Sequence, residues 1–541
     1  MRNIKRFFIN AILLTAAQLF MRAVSVTFNV YVSNRIGAEA MGLFSLITGV
    51  YGFALTLATS GIHLAVTRLV TEYSSHGNNK CVLKVIKNAV IYCTFFGCLA
   101  GTLLWTLSSP IGIHLLEDER TILSLKIFAL ALPPISISSA LNGYFTAVRR
   151  VYKNAAVGII EQWSKIFIIS YLLNLLMPEG IEYACISLVL GGTVSELLSC
   201  LLMWILWVAD KRKNFGTVKL IGNSRSNEKC LSANAVGRER SIMRKLISIS
   251  LPVAFSSYAR SALLTVEHAL IPRSLRKSGA THSTSLSIYG TIHSMVLPVI
   301  LFPSAFISSF SGLLIPELSE CLENNNRTQI RYIAGRVFQF TLMFSIGVAG
   351  IMMCFSGDIS ELMYPGKETG KYISLFAPLI PVMYLDSTTD AMLKGLGYQV
   401  YSMNVNIFDS ALSVLLVCIL IPVMGINGYT ITIFVCEIIN AALSITKLLD
   451  GTGLKVRLFR WIFIPIFSIA GAAGIVRLVF EYVFIGGLHK ITEIILRILM
   501  CIYVYFIFLR IFLVISDEDI KWFKRIFARE KVPDTAGDLR V

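Results

Sequence analysis

The chain has 541 residues, of which 55% are hydrophobic and only 15% charged, with a formal net charge of +17 and a mean hydropathy of +0.70. Soluble domains run about 45–50% apolar and about 25% charged, so a soluble enzyme, a disordered chain and a soluble nucleic-acid-binding domain are all excluded. The eleven cysteines are scattered, with no C-x-x-C and no Cys/His cluster at zinc spacing, and read as small apolar residues rather than metal ligands.

Hydrophobic runs recur from end to end, each long enough to cross a bilayer as a helix of about 20 residues. They do not alternate polar with apolar, which excludes a membrane β-barrel. In chain order the predicted spans are 7–33, 40–70, 84–108, 121–147, 156–177, 183–208, 242–270, 286–315, 332–356, 372–396, 403–423, 427–448, 459–485 and 490–515. That is an all-α polytopic membrane protein with about fourteen transmembrane helices. The opening "MRNIKRFFINAILLTAAQ" has the layout of a signal peptide, but its apolar pattern continues to Val32, as a retained helix would. Most of the Lys and Arg fall on one side when the N-terminus and the even-numbered loops are cytoplasmic, which places both termini in the cytoplasm. The outer loops include the acidic "LLEDER" (115–120), read as a solvated face, and "MPEGIEY" (177–183).

The expected division is a first lobe at 1–208, a basic cytoplasmic linker at 209–241, a second lobe at 242–450, two further helices at 451–515 and a cytoplasmic tail at 516–541. The linker, Ser/Asn-rich and basic, reads as a flexible tether that also touches anionic headgroups. The lobes come from an internal repeat. Arg22 and Arg35 recur as Arg260 and Arg273, both at an offset of 238. "SGI" (60–62) pairs with "SGL" (311–313), "FALALPP" (128–134) with "FAPLIPV" (376–382), Glu161 with Asp409, and "VSELL" (194–198) with "VCEII" (435–439). Six helices per copy make the repeat parallel, which suits an alternating-access carrier.

The spans carry polar groups that membrane helices rarely tolerate. Arg22 lies about 24 Å along its helix from Arg6, and Arg260 about 22 Å from Lys245, at 1.5 Å per residue. An ionised residue at the bilayer centre costs roughly 2.5–3.5 kcal/mol on insertion scales. Gln18, Arg22, Ser25, Asn29 and Ser33 share one face of the first helix within about 80°, and Ser256, Arg260 and Glu267 one face of the seventh. The bland reading pairs each arginine with an acid such as Glu267 or Glu161 as structural glue. The functional reading is anion binding, because a guanidinium stays charged and its planar fork matches phosphate oxygens. Two such arginines would suit a diphosphate.

Asp386 and Asp390, spaced i,i+4 beyond Pro378 and Pro381, are a candidate site for a coupling Na+ or H+. Glu161 and Lys165 read as an i,i+4 bridge, and His63, His268 and His293 as satisfied ring groups. Pro133-Pro134 and Pro381 mark expected breaks in equivalent helices. No P-loop, HExxH or GxSxG occurs, so neither nucleotide-driven pumping nor catalysis is expected, and no cofactor or metal.

The stretches "RAVSVTFNVYVSNRIGAEAMGLFSLI" (22–47), "TSGIHLAVTRLVTEY" (59–73) and "LNGYFTAVRRVYKNAAVGIIEQ" (141–162) resemble the MOP exporter superfamily, in its branch of polysaccharide and lipid II flippases and stage V sporulation B-like proteins. The resemblance covers essentially the whole chain. It implies flipping of a polyprenyl-diphosphate-linked saccharide across the cytoplasmic membrane, with Arg22 matching a required cavity arginine. It also implies two C-terminal helices that guide the lipid tail, membrane lipids and a cell-wall synthase as partners, and a monomer. Where lipid II flippases carry further cavity arginines, Phe28 and His293 stand here and Arg260 lies on the seventh helix. The other readings are a multidrug or cation antiporter of the same fold and a membrane-embedded glycosyltransferase or ligase.

Overall fold

The computed structural model describes residues 2–75, 79–177, 180–215, 235–454, 456–482, 490–512 and 514. The inner part of the linker and the tail at 516–541 lie outside these residues. Among the described residues every regular element is helical. Eleven helical stretches are long and apolar enough to cross a membrane, with the bent run Leu19–Ser75 counted once. The chain is a multi-pass membrane protein.

The helices are α1 (Arg2–Thr59), α2 (Ile62–Ser75), α3 (Asn79–Pro110), α4 (Thr121–Ala147), α5 (Val151–Leu176), α6 (Ile181–Phe215), α7 (Ala235–Lys277), α8 (His282–Tyr289), α9 (Leu297–Leu301) and α10 (Ser304–Glu323). They continue as α11 (Arg327–Cys354), α12 (Ser356–Met363), α13 (Thr369–Phe376), α14 (Ile380–Gly395), α15 (Gln399–Met424), α16 (Ile426–Thr452), α17 (Ile464–Tyr482) and α18 (Lys490–Ile511).

Several predicted spans are divided differently. The first two are arms of α1, which bends at Gly37 (φ 83°, ψ 173°), a backbone shape that glycine adopts freely. The predicted 40–70 span then ends early, because Ser60 and Gly61 both take positive φ, 42° and 68°, and α2 starts afresh. The predicted 286–315 span splits into α8, a π-helical turn over Gly290–Val296, α9 and α10. The two proline sites also part company. α4 runs unbroken through Pro133 and Pro134, contrary to the expected break, and Ser136 Oγ donates to Cys93 O (2.7 Å) and Pro133 O (2.9 Å) alongside them. At the second site the break lies just before the expected Pro381, as a 3-10 turn over Ala377–Leu379, and Pro381 sits in the first turn of α14. α7 is 43 residues, about 65 Å long, over twice the ~30 Å hydrocarbon thickness. Its serines and charges keep it out of the eleven apolar stretches.

The chain packs as two compact units, 1–290 with 414–429, and 291–413 with 430–541. This boundary differs from the expected 208/242 division because α7 packs with the first half. Ile242 and Leu246 of α7 are buried in one apolar cluster with Val66, Leu69, Val85, Leu141 and Tyr144. A second cluster in that unit joins Val32 and Met41 of α1 to Ile169 and Leu173 of α5 and Ala184 and Leu188 of α6. In the other unit, Tyr505 donates to Met343 O at 2.8 Å and Tyr384 to Ile300 O at 2.6 Å.

Candidate functional site

Within the first unit the second arm of α1 runs antiparallel to α7. Thr265 Oγ1 donates to Gly49 O (3.0 Å), Thr56 Oγ1 to Ser261 Oγ (3.2 Å), and Ser60 Oγ meets Tyr258 OH. The first arm of α1 is held at its far end by Arg35 Nη1, which donates to Asn174 Oδ1 (2.9 Å). Arg22 lies 13 residues before Arg35, and Arg260 13 before Arg273, so each sits about 20 Å inward from those residues.

Arg22 and Arg260 both have exposed side chains. Neither forms a hydrogen bond or ion pair among the described residues, so the glue reading, with Glu161 or Glu267 as the partner, is not what the side chains do. Ser25 and Asn29 are half-buried beside Arg22, and Ser33 Oγ donates to Asn29 Oδ1 (3.2 Å). Ser256 Oγ donates to Val253 O (3.1 Å) one turn before Arg260. Glu267 is half-buried and has partners of its own. The side chain of Gln18 lies outside the described residues. An exposed guanidinium halfway along a membrane helix is costly against lipid; the favourable surroundings are water or an anion.

Glu161 and Lys165 on α5 lie within electrostatic reach of Glu196 on α6. The expected Glu161–Lys165 bridge is not formed among the described residues. His268 is satisfied as expected, its Nδ1 3.0 Å from Tyr289 OH.

Arginines at the helix ends are engaged quite differently. Arg120 binds Asp118 through Nη2 (2.7 Å) and Nε (3.0 Å) and reaches Glu39 through Nη1 (3.2 Å). The Asp118 hydrogen bond pushes its pKa above the usual guanidinium range, against the opposing effect of burial. Arg273 Nε lies 2.9 Å from Glu117, which Arg276 also pairs. The "LLEDER" segment, expected to be a solvated face, is therefore tied to the end of α7. Sequence reading missed this because the partners are 156 and 159 residues apart; the matching "LLEDER" and "RSLRK" charges were the only available signal. At the opposite end of this unit, Asp210, 3% exposed, accepts from Lys153 Nζ (2.7 Å), Tyr144 OH (3.1 Å) and Arg150.

In the second unit the Asp386 and Asp390 carboxylates take separate partners. Asp390 pairs with Lys394 Nζ (2.5 Å) and accepts from Ser402 Oγ. Asp386 accepts from Asn440 Nδ2 (3.1 Å). Among the described residues no group of three or more His, Cys, Asp or Glu could hold a metal ion.

The sequence pattern of a family described as polysaccharide biosynthesis protein matches residues 7–322. Stage V sporulation protein B of Bacillus subtilis (strain 168) is 24% identical over 432 residues, covering 79% of this chain and 80% of that protein. The lipid II flippase MurJ of the same organism is 22% identical over 434 residues, covering 77% of each. Among solved structures, lipid II flippase MurJ in an inward closed conformation superposes with a TM-score of 0.65 at 15% identity, over 93% of this chain and 98% of that one. An inward-facing multidrug resistance MATE family transporter of the MOP superfamily superposes with a TM-score of 0.60 at 12% identity, over 81% and 97%. These likenesses show a shared fold.

Proposed function

We propose, for a chain that belongs to the polysaccharide biosynthesis protein family, that it flips a polyprenyl-diphosphate-linked saccharide across the cytoplasmic membrane by alternating access. Arg22 and Arg260 hold the diphosphate on its way across. The observation that carries this reading is the pair of mid-depth arginines, exposed and without a partner among the described residues. A diphosphate offers each guanidinium two acceptor oxygens in the geometry it favours. Ser25, Asn29, Ser256 and, with Gln18, the rest of the polar stripe would contact the sugar or its water, and Glu267 would tune the charge around Arg260.

The same reading includes fourteen spans in two six-helix halves plus two, both termini in the cytoplasm, a monomer, and a partnership with a cell-wall synthase. Coupling to Na+ or H+ is assigned to the Asp386 and Asp390 region. Two relatives support the substrate class, since one is named a lipid II flippase and another a stage V sporulation protein.

The test is rescue of cells depleted of their own lipid II flippase, scoring surface-exposed lipid II for the wild type, Arg22→Ala and Arg260→Ala. Rescue by the wild type alone supports substrate and site together. An inserted wild type that fails to rescue rules out lipid II and moves the search to other polyprenyl-linked glycans, or to cationic dyes if those are extruded. Full activity of Arg22→Ala would remove the diphosphate assignment.

A further inference from the structure

The charge cluster around Glu117 has no part in holding a diphosphate at mid-depth, yet it joins six charged side chains. Three carboxylates, Glu39, Glu117 and Asp118, face three guanidiniums, Arg120, Arg273 and Arg276. Ser283 Oγ at the start of α8 donates to Glu39 (2.5 Å), and His282 Nε2 stands 3.7 Å from Asp118. The charges balance, so the helix ends dock without net repulsion. Glu117 has a φ of 53°, a shape that residues with side chains keep only where the surroundings fix it. Its carboxylate is fixed from two sides, by Arg273 and Arg276.

Beside the network the backbones touch. A Cβ at Gly42 would lie 2.1 Å from Leu286 O, and one at Gly290 would lie 2.1 Å from Ala38 O. So α1 and α8 meet through glycines beside the ion pairs. Asp118 is buried, at 4% exposed, whereas the Arg273–Glu117 pair is open to water, at 44% and 31% exposed, and Arg276 is 22% exposed. Such pairs are individually weak because water competes for them. A close backbone contact flanked by ion pairs that water can reach, as at Arg273–Glu117, is suited to repeated release.

We propose that Glu39 and the acidic turn 117–120 are a charge latch. It holds the outer ends of α7 and α8 on the first-half helices, and the transport cycle must break it to open the outer side. The inference rests on the alternating-access reading above, but not on the identity of the substrate. The latch adds a second hold on α7, at the end away from the apolar cluster around Ile242 and Leu246. It also gives the outer-end arginines a role distinct from that of Arg22 and Arg260, because their charges are already spent on carboxylates of this chain.

The experiment places a cysteine at Thr265, which is buried against Gly49 of α1, and labels intact cells from outside with a membrane-impermeant maleimide. Labelling is scored above that of the parent chain and per amount of inserted protein. With the latch opened by Glu117→Gln, or by Arg273→Gln with Arg276→Gln, labelling should rise by about threefold or more, the scale of losing one or two half-exposed ion pairs. Unchanged labelling in both overturns the proposal. If those variants do not accumulate, Glu39→Cys with Ser283→Cys, joined by a short cleavable thiol cross-linker, carries the test in the same Thr265→Cys chain. Labelling above that of the same Glu39→Cys, Ser283→Cys chain with Thr265 kept should fall to background when the link is made and return when it is cleaved; a difference indifferent to the link overturns the proposal. Because no lipid-linked substrate enters the measurement, failure of the flippase reading would appear in the rescue assay and leave this result standing.

Discussion

Two sets of cations share the first unit and have opposite fates. Arg22 and Arg260 lie halfway along their helices, exposed and without partners among the described residues. At the helix ends Arg120, Arg273 and Arg276 on one side, and Arg150 and Lys153 on the other, are matched with carboxylates. Position alone would suggest the reverse. Charges near the membrane surface reach water easily and have least need of carboxylates, whereas charges at mid-depth have most. The pairing thus separates cations that hold the protein together from cations left available to something the chain does not supply.

The sharpest test of the structural half is Asp210. Its carboxylate is 3% exposed and accepts from three groups. Asp210→Ala leaves Arg150 and Lys153 without their acceptor, and breaking a buried pair from one side costs about 3 kcal/mol or more. The thermal midpoint in detergent should drop by several degrees, with loss of expression in the extreme. A variant as stable as wild type would mean that this network, despite its burial, contributes nothing net.

Arg22→Ala and Arg260→Ala should do the opposite. Each removes a charge that satisfies nothing in the described chain, so stability should hold within about 0.5 kcal/mol. Transport should fall on the order of 10²-fold, matching a lost charged hydrogen bond to substrate of about 1.5–3 kcal/mol. Arg22→Lys should recover only part of this, since an ammonium keeps the charge but not the fork. Loss of stability together with transport would put the arginines in the same class as Arg150.

How much of this was legible beforehand follows from which forces act locally. The membrane class, the helical content and the polar stripes follow from composition and 3.6-residue periodicity, which are properties of consecutive residues. α4 was placed residue for residue at 121–147, because Arg120 on one side and Arg149-Arg150 on the other flank a mostly apolar run. Breaks were legible only where the backbone itself forces them. Gly37 gave no signal, since glycine is tolerated in a helix as well as at a bend, and tertiary packing decides which. Pro133-Pro134 looked like a break and was not, because Ser136 and a close approach to Gly97, whose Cβ would lie 2.8 Å from Pro133 Cα, accommodate the prolines. Arg22 and Arg260 stood out in the sequence as charges within apolar runs, and their side chains are exposed. The partners of Arg273 and Arg276 were not, because ion pairs between residues more than 150 positions apart leave no periodic trace.

Gly290→Ala tests the backbone contact beside the Glu39 and Glu117 ion pairs. The added methyl would overlap Ala38 O and the Gly42 backbone, and overpacking of this kind costs about 1–3 kcal/mol. Since the strain falls where α1 meets α8, a loss of stability here should be accompanied by raised outside labelling at Thr265→Cys. A destabilised variant whose labelling is unchanged would locate the strain inside α8 instead.

The smallest effect is expected at Asp390, and it bears on the coupling assignment. Asp386 and Asp390 are a helical turn apart, the spacing at which two carboxylates share a proton or a cation. Lys394 and Ser402 already neutralise and hold Asp390, whereas Asp386 faces the Asn440 amide, itself nine-tenths buried. An i,i+4 pair with Lys394 42% exposed is worth about 0.3–0.5 kcal/mol. Asp390→Asn should therefore leave transport and its dependence on Na+ or pH almost unchanged. Asp386→Asn, by contrast, should remove that dependence while leaving the chain folded, since asparagine can still accept from Asn440. Equal loss in both variants would restore the two carboxylates as one site and mean that Lys394 moves away during transport. Ion dependence that survives both would take coupling out of α14 altogether.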